Sequence, residues 1–224
     1  MTARTRLFCA VAVAAVGAAA LSGCKSSGEI VVEEGVGITA VRGACPAVGI
    51  PDYTGNVTLF RTAGARDAAS IDVAASITNL RSQCNDDAKD TSAKVYASVD
   101  FDVLARRTDT RGARQVSLPY FVTVLRGGRA VVTKRVGTVV IHFADGQERA
   151  QAHGAGGAYI DRAEATLSQD VRTRITRKRK AGDQDAAVDP LSEPDVRAAV
   201  QRATFEVLVG FQLDEDQLSY NATL

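Results

Sequence analysis

The 224-residue chain has no tryptophan, two histidines and only 5% aromatic residues, and its 27 basic side chains are balanced by 26 acidic ones. Each scarcity removes a class of reading. Without tryptophan, the Cys…Trp…Cys core of true immunoglobulin domains is missing. Sugar sites favour stacked aromatics, so a chain offering Tyr53, Tyr96 and Tyr120 as its surface candidates is poorly supplied for one. Balanced charge leaves no net field to attract nucleic acid. No G-x-S-x-G nucleophile elbow occurs. The Gly154-Ala155-Gly156-Gly157 run lacks the lysine of a phosphate loop, and reads as a loop or an irregular strand start. No catalytic set, cofactor or metal is expected.

The histidines were the metal candidates, because His142, Asp145, Glu148 and His153 lie close together in the sequence. A hairpin at Asp145-Gly146 would set His142 opposite Arg149 and His153 opposite Thr138. The rings would then stand roughly 13 Å apart along the strands. One ion needs its ligands at about 2 Å, so the pair cannot share it. Asp100 and Asp102 alternate with apolar residues and read as solvated carboxylates on a strand's wet face, not as an acid/base pair.

What is present begins at the amino terminus. Arg4 and Arg6 precede an apolar block from Leu7 to Leu21, and Ser22-Gly23-Cys24 follows. A basic start, an apolar stretch and small residues form a secretory signal. The stretch is too short and too alanine-rich for a spanning helix of roughly 20 residues. Leu21-Ser22-Gly23-Cys24 resembles the lipobox of bacterial lipoproteins. That resemblance covers the first 24 residues and implies cleavage before Cys24, a diacylglycerol on its sulfur and an acylated new amino terminus. Two or three chains anchor stably where one is marginal. Lys25 after the cysteine resembles the outer-membrane-sorted members. The competing reading is an ordinary secretory signal, or an uncleaved anchor, with Cys24 incidental.

Cysteine usage follows from that resemblance. Cys9 leaves with the signal and Cys24 is acylated, so Cys45 and Cys84 remain. An even pair in an exported protein reads as one disulfide, with two free thiols as the alternative.

The mature chain is read as a Gly/Pro-rich tether over 24–56, a β-sandwich over 57–176, a charged loop over 177–191 and a helical segment over 192–224. A short strand at Ile30–Val32 is expected inside the tether. The about twenty residues from Cys24 to Cys45 reach at most ~65–70 Å. Strands are expected at Val57–Arg61, from Ile71 towards Cys84, and over Val95–Val103, where apolar and polar residues alternate. Gly127-Gly128 and Asp145-Gly146 predict a meander of strands 118–126, 129–144 and one from 147, with a bulge or bend at Gly137. A further strand is expected from Ala158 to Ile175.

Six or seven such strands suggest an antiparallel β-sandwich, immunoglobulin- or fibronectin-like in pattern only, with a C-terminal helix. The alternative is an α+β fold with one sheet covered by the helix. Ser192-Glu193-Pro194-Asp195 offers a serine cap, and Val196, Val200, Ala203 and Val207 fall at helical spacing. These predict a helix to about Leu208 with Gly210 after its end. Alternation over 205–213 leaves a late strand open, and Asp214…Gln217 resembles a short capped turn.

One charge cluster rises above background. "RTRITRKRK" holds Arg172, Arg174, Arg177, Lys178, Arg179 and Lys180, followed by Asp183, Asp185, Asp189, Glu193 and Asp195. It would touch anionic lipid or lipopolysaccharide, or be a solvated stretch neutralised by the acids after it. Together these features predict a non-enzymatic envelope lipoprotein on the periplasmic side of the outer membrane, acting as a binding or assembly module. Its partners would be the membrane, through acyl chains, and an envelope protein. A peptidoglycan- or carbohydrate-binding lipoprotein is the alternative, and an envelope hydrolase ranks third.

Overall fold

The computed structural model describes residues 43–86, 91–177, 182–183 and 188–224. Cys24, the strand expected at Ile30–Val32, and Lys178, Arg179 and Lys180 lie outside the described residues. The strands are β1 Ala47–Gly49, β2 Asn56–Phe60, β3 Ile71–Cys84, β4 Lys94–Arg107, β5 Arg114–Arg126, β6 Ala130–Phe143, β7 Arg149–Asp161 and β8 Phe205–Phe211. The helices are α1 Arg162–Ala165, α2 Gln169–Thr176, α3 Pro194–Arg202 and α4 Glu215–Asn221. Sheet 1 has the order β1-β8-β5-β6 and sheet 2 the order β2-β3-β4-β7. The chain is thus mainly β, with two sheets and a C-terminal helix, and the single-sheet alternative is not what forms. Neighbouring strands are antiparallel except β1, which runs parallel to β8.

Period-two alternation builds the core. Val95, Val99, Phe101 and Val103 of β4 are wholly buried, while Tyr96, Ser98, Asp100, Asp102 and Leu104 face outwards between them. Leu118, Ile141, Val207 and Val209 do the same for sheet 1. Full burial of such side chains stabilises by about 1.5–3 kcal/mol each. Tyr120 bridges the layers: its hydroxyl donates to the Ala155 carbonyl of β7 at 2.7 Å and its ring meets Phe101 edge-on at 5.1 Å. Gly137 is therefore not a bulge. It makes room for the Tyr120 ring, whose Cζ would lie 2.6 Å from a Cβ at that position. The register slips fall elsewhere, at Leu59/Phe60, Thr78/Arg81 and Val124/Leu125.

Four further expectations give way. The segment 24–56 is not tether throughout, because β1 lies inside it. The run from Ala158 to Ile175 is not one strand. β7 stops at Asp161, which caps α1 by accepting from Ala163 N–H, and Ser168 caps α2 by accepting from Val171 N–H. Leu167, Val171 and Ile175 are four apart, a spacing that fits either period. Gly154–Gly157 lies within regular β7, not in a loop, and Gly154 admits the Phe101 ring against the backbone. Helix α3 ends at Arg202, its cap is Glu193 without a side-chain cap bond, and the late strand is realised as β8. Ser192 instead donates to the Asp189 carbonyl, and Gly210 is buried within β8. The turn at Asp214 does form, as a full capping box opening α4.

The meander fails at its third strand. β5 and β6 pair around Gly127-Gly128, both with positive φ, but β7 leaves sheet 1 and pairs with β4. The cause is Arg107, which is fully buried. Its Nε donates to Gln147 O at 2.7 Å, Nη1 to Gly112 O at 2.8 Å, and Nη2 to Thr110 O and Ala144 O at 2.8 and 2.7 Å. The guanidinium carbon stands 5.1 Å from the Phe143 ring centre. These carbonyls belong to the two links that carry the chain between sheets, β4 to β5 and β6 to β7. Asp145 accepts from Gly112 N–H at 2.6 Å and Gly146 N–H donates to Thr110 O at 2.8 Å, so the Asp-Gly tip grips the other link and does not close a hairpin.

Replacing Arg107 by Ala should cost roughly 3 kcal/mol or more, because dry carbonyls left without donors cost about 1–3 kcal/mol each. Arg107→Lys keeps the charge but not the fork, and should fall between the two. Urea unfolding measures both. A loss below about 1 kcal/mol for the alanine variant would contradict this role.

Candidate functional site

The outer face of β3, β4 and β7 carries a polar arrangement that no core contact requires. Asp100, Asp102 and His153 meet there because β4 and β7 pair in register, with His153 opposite Asp102. His153 Nδ1 lies 3.3 Å from Asp102 Oδ1, and Nε2 lies 3.3 Å from Asp100 Oδ1. A neutral imidazole has one N–H and can serve one carboxylate; the imidazolium serves both. Asn79, at φ 54° where β3 slips register, donates to Asp102 Oδ2 at 2.7 Å, and Arg81 stands 3.4 Å from the same oxygen. Asn tolerates this left-handed backbone better than most residues. These donors, Asn79 first and then Arg81 and His153, hold the Asp102 carboxyl down to about 2.

Along the same face, towards the start of β4, Tyr96 and Tyr159 lie opposite one another with ring centres 4.9 Å apart. They are 40% and 67% exposed. The Tyr96 hydroxyl end lies over Gly157, where a Cβ would clash, so the glycine lets the ring lie flat against the sheet. Ser98, Ala155 and Gly157 leave low relief between the tyrosines and His153. At the far end of the face, Leu104, 47% exposed, sits in a shallow groove with Ala74, Ser76, Arg106 and Gln151.

The histidines do not come together. His142 faces Gln115 in sheet 1, not Arg149, and His153 faces Asp102 in sheet 2, not Thr138. Among the described residues no group of three or more His, Cys, Asp or Glu side chains is arranged to hold a metal ion. Both ring nitrogens of His153 already face carboxylates.

The expected disulfide forms. Cys45 before β1 joins Cys84 at the end of β3 across a separation of 39 residues, tying sheet 1 to sheet 2. Loop-closure entropy assigns it about 4 kcal/mol. The basic cluster is divided. Arg172 and Arg174 lie on α2 and Arg177 follows it. Arg174 is engaged by the acids downstream, donating to Asp195 at 2.6 Å and to Glu193, with the Arg174 pKa raised and that of Asp195 lowered. Arg172 is exposed and reaches the Leu167 carbonyl at 3.3 Å. The neutralised reading therefore describes Arg174.

Tyr159 and the contact between His153 and the two aspartates escaped the sequence reading. Their outward parity was visible, but only the pairing of β4 with β7 unites them, and the Asp-Gly signal pointed to a different partner strand. No family model, curated protein or solved structure matches the chain.

The Asp102 carboxyl should titrate near 2 in a carbon-detected NMR experiment. Asn79→Ala should move it up towards the ordinary 3.8, and Arg81→Ala should do so by less. Because the folded value is depressed, the stabilisation is complete above about pH 4 and fades as pH falls through 2. Asp102→Asn should remove that acid-side component of the stability curve.

Proposed function

We propose that this protein is a lipid-anchored, non-enzymatic module of the bacterial cell envelope that binds or assembles partners on the periplasmic side of the outer membrane. The observation that carries the reading is Leu21-Ser22-Gly23-Cys24 at the end of a signal-like segment. The Cys45–Cys84 disulfide supports it, since such bonds persist in exported proteins and are rare in the cytosol. Among the described residues no helix is long and apolar enough to cross a membrane, and two or three acyl chains on Cys24 would suffice to anchor the protein. Mass spectrometry of the mature amino terminus should find a modified cysteine. Cys24→Ser should release the protein from the outer-membrane fraction, and a variant processed and retained like wild type would end the proposal.

A second reading, a glycan-binding lipoprotein, is favoured by the exposed Tyr96–Tyr159 pair, which shares a sheet face with Ser98, Asp100 and His153. An exposed aromatic pair on one face with hydroxyl, carboxylate and imidazole groups suits a glycan chain, which offers C–H faces and hydroxyl edges together. Retention on purified sacculi should fall about three- to tenfold in Tyr159→Ala, the range expected for losing one ring contact. Equal retention by both forms would remove this reading and leave the first in place.

A further inference from the structure

The chain enters the described fold at the end of sheet 1 where the β5–β6 hairpin turns. Register fixes this: Ala47 lies beside Glu206, Glu206 beside Leu125, and Leu125 beside Val131, in one row across the sheet. Gly43 comes just before that row, and Cys24 lies about twenty residues earlier, within ~65–70 Å of extended chain.

At this end the hairpin presents an unusual surface. Val131, Val132 and Val136 are 64%, 54% and 59% exposed on an edge strand. Residues 129–143 contain no acid, and Arg129, Lys134 and Arg135 are exposed among the valines. Edge strands usually carry charge to prevent pairing with other strands, and clustered exposed valines work against that protection. The base is held firmly. Arg126 donates to Arg202 O at 2.8 Å and to Glu164 at 3.2 Å, and Gly127 N–H donates to Thr204 O at 2.8 Å. A second copy is a poor occupant, since like charges would meet across the pair. A phospholipid surface answers both parts of the pattern: apolar side chains enter the headgroup boundary and cations meet phosphates.

We infer that the β5–β6 hairpin, from Gly127 to Val136, is a second membrane contact that seats on an anionic phospholipid bilayer. The inference rests on the lipid-anchor reading, because the anchor keeps this end of the sandwich within reach of the bilayer. Acyl chains then limit the distance and the hairpin sets the orientation, turning the outer face of sheet 2 to a constant angle.

The test uses residues 24–224 with Cys24→Ser, which carry no acyl chain, mixed with vesicles of phosphatidylglycerol and phosphatidylethanolamine or of phosphatidylcholine alone. The chain lacks tryptophan, so Val132→Trp supplies a lone indole, and Val140→Trp, roughly 26 Å further along β6, is the control. The emission of Val132→Trp should shift to the blue with anionic vesicles only, and return at about 0.5 M salt. Adding Lys134→Glu and Arg135→Glu should weaken partitioning at least ~tenfold. An unshifted Val132→Trp, an equal shift in Val140→Trp, or equal binding to neutral vesicles would overturn the inference. Mass spectrometry of Cys24 reads the anchor independently, so either idea can fail alone.

Discussion

A single buried cation decides how this chain closes. Arg107 is fully buried, and it donates four hydrogen bonds to carbonyls of two links that are distant in sequence. A guanidinium in such a place is tolerable only when its fork is matched. Matching it forces both links to cross between sheets at one point. The opposite end is closed differently, by the Cys45–Cys84 bond and by Asp86, which accepts from both Ala44 N–H and Arg162 at 2.6 Å. Between these two closures lies a core rich in valine and alanine, whose small side chains bury little area each. A sandwich of this composition depends on its ends more than one filled with leucine and tryptophan would.

Much of the fold was legible because period two is a strong signal when one face is wet. β3, β4, β5 and β6 could be read from alternation, and Gly127-Gly128 marks a hairpin that forms. The failures share a cause: a local pattern compatible with two answers was settled by a distant partner. Asp145-Gly146 turns the chain as its residues require, yet whether the next strand returns to the same sheet depends on Arg107, far upstream. Residues 205–211 alternate like a strand and also follow a helix without a break, and the place waiting between β1 and β5 selects the strand. The spacing of Leu167, Val171 and Ile175 has the same ambiguity, resolved by the caps at Asp161 and Ser168.

The candidate site was half visible. Asp100 and Asp102 were correctly placed on a wet face, and Cys45 with Cys84 was correctly paired. Their neighbours were not legible, because His153 and Tyr159 reach the aspartates and Tyr96 only across a strand pairing that joins residues 94–107 to 149–161. The two outer surfaces that result are chemically distinct. Sheet 2 offers hydroxyls, carboxylates and an exposed pair of tilted aromatic rings. The free edge of sheet 1 offers valines and cations. Separate surfaces of this kind let one small body hold to one thing while recognising another.

The parallel pairing of β1 with β8 has a consequence for the order of events in the life of the molecule. Sheet 1 takes one edge strand from residues 47–49 and the strand next to it from residues 205–211, more than 150 positions later. Nothing stands between β1 and β5 until residues 205–211 have been made. Contacts so remote along the chain form slowly. Sheet 2, drawn from residues 56–161, can pair before that point, so the two layers need not complete together.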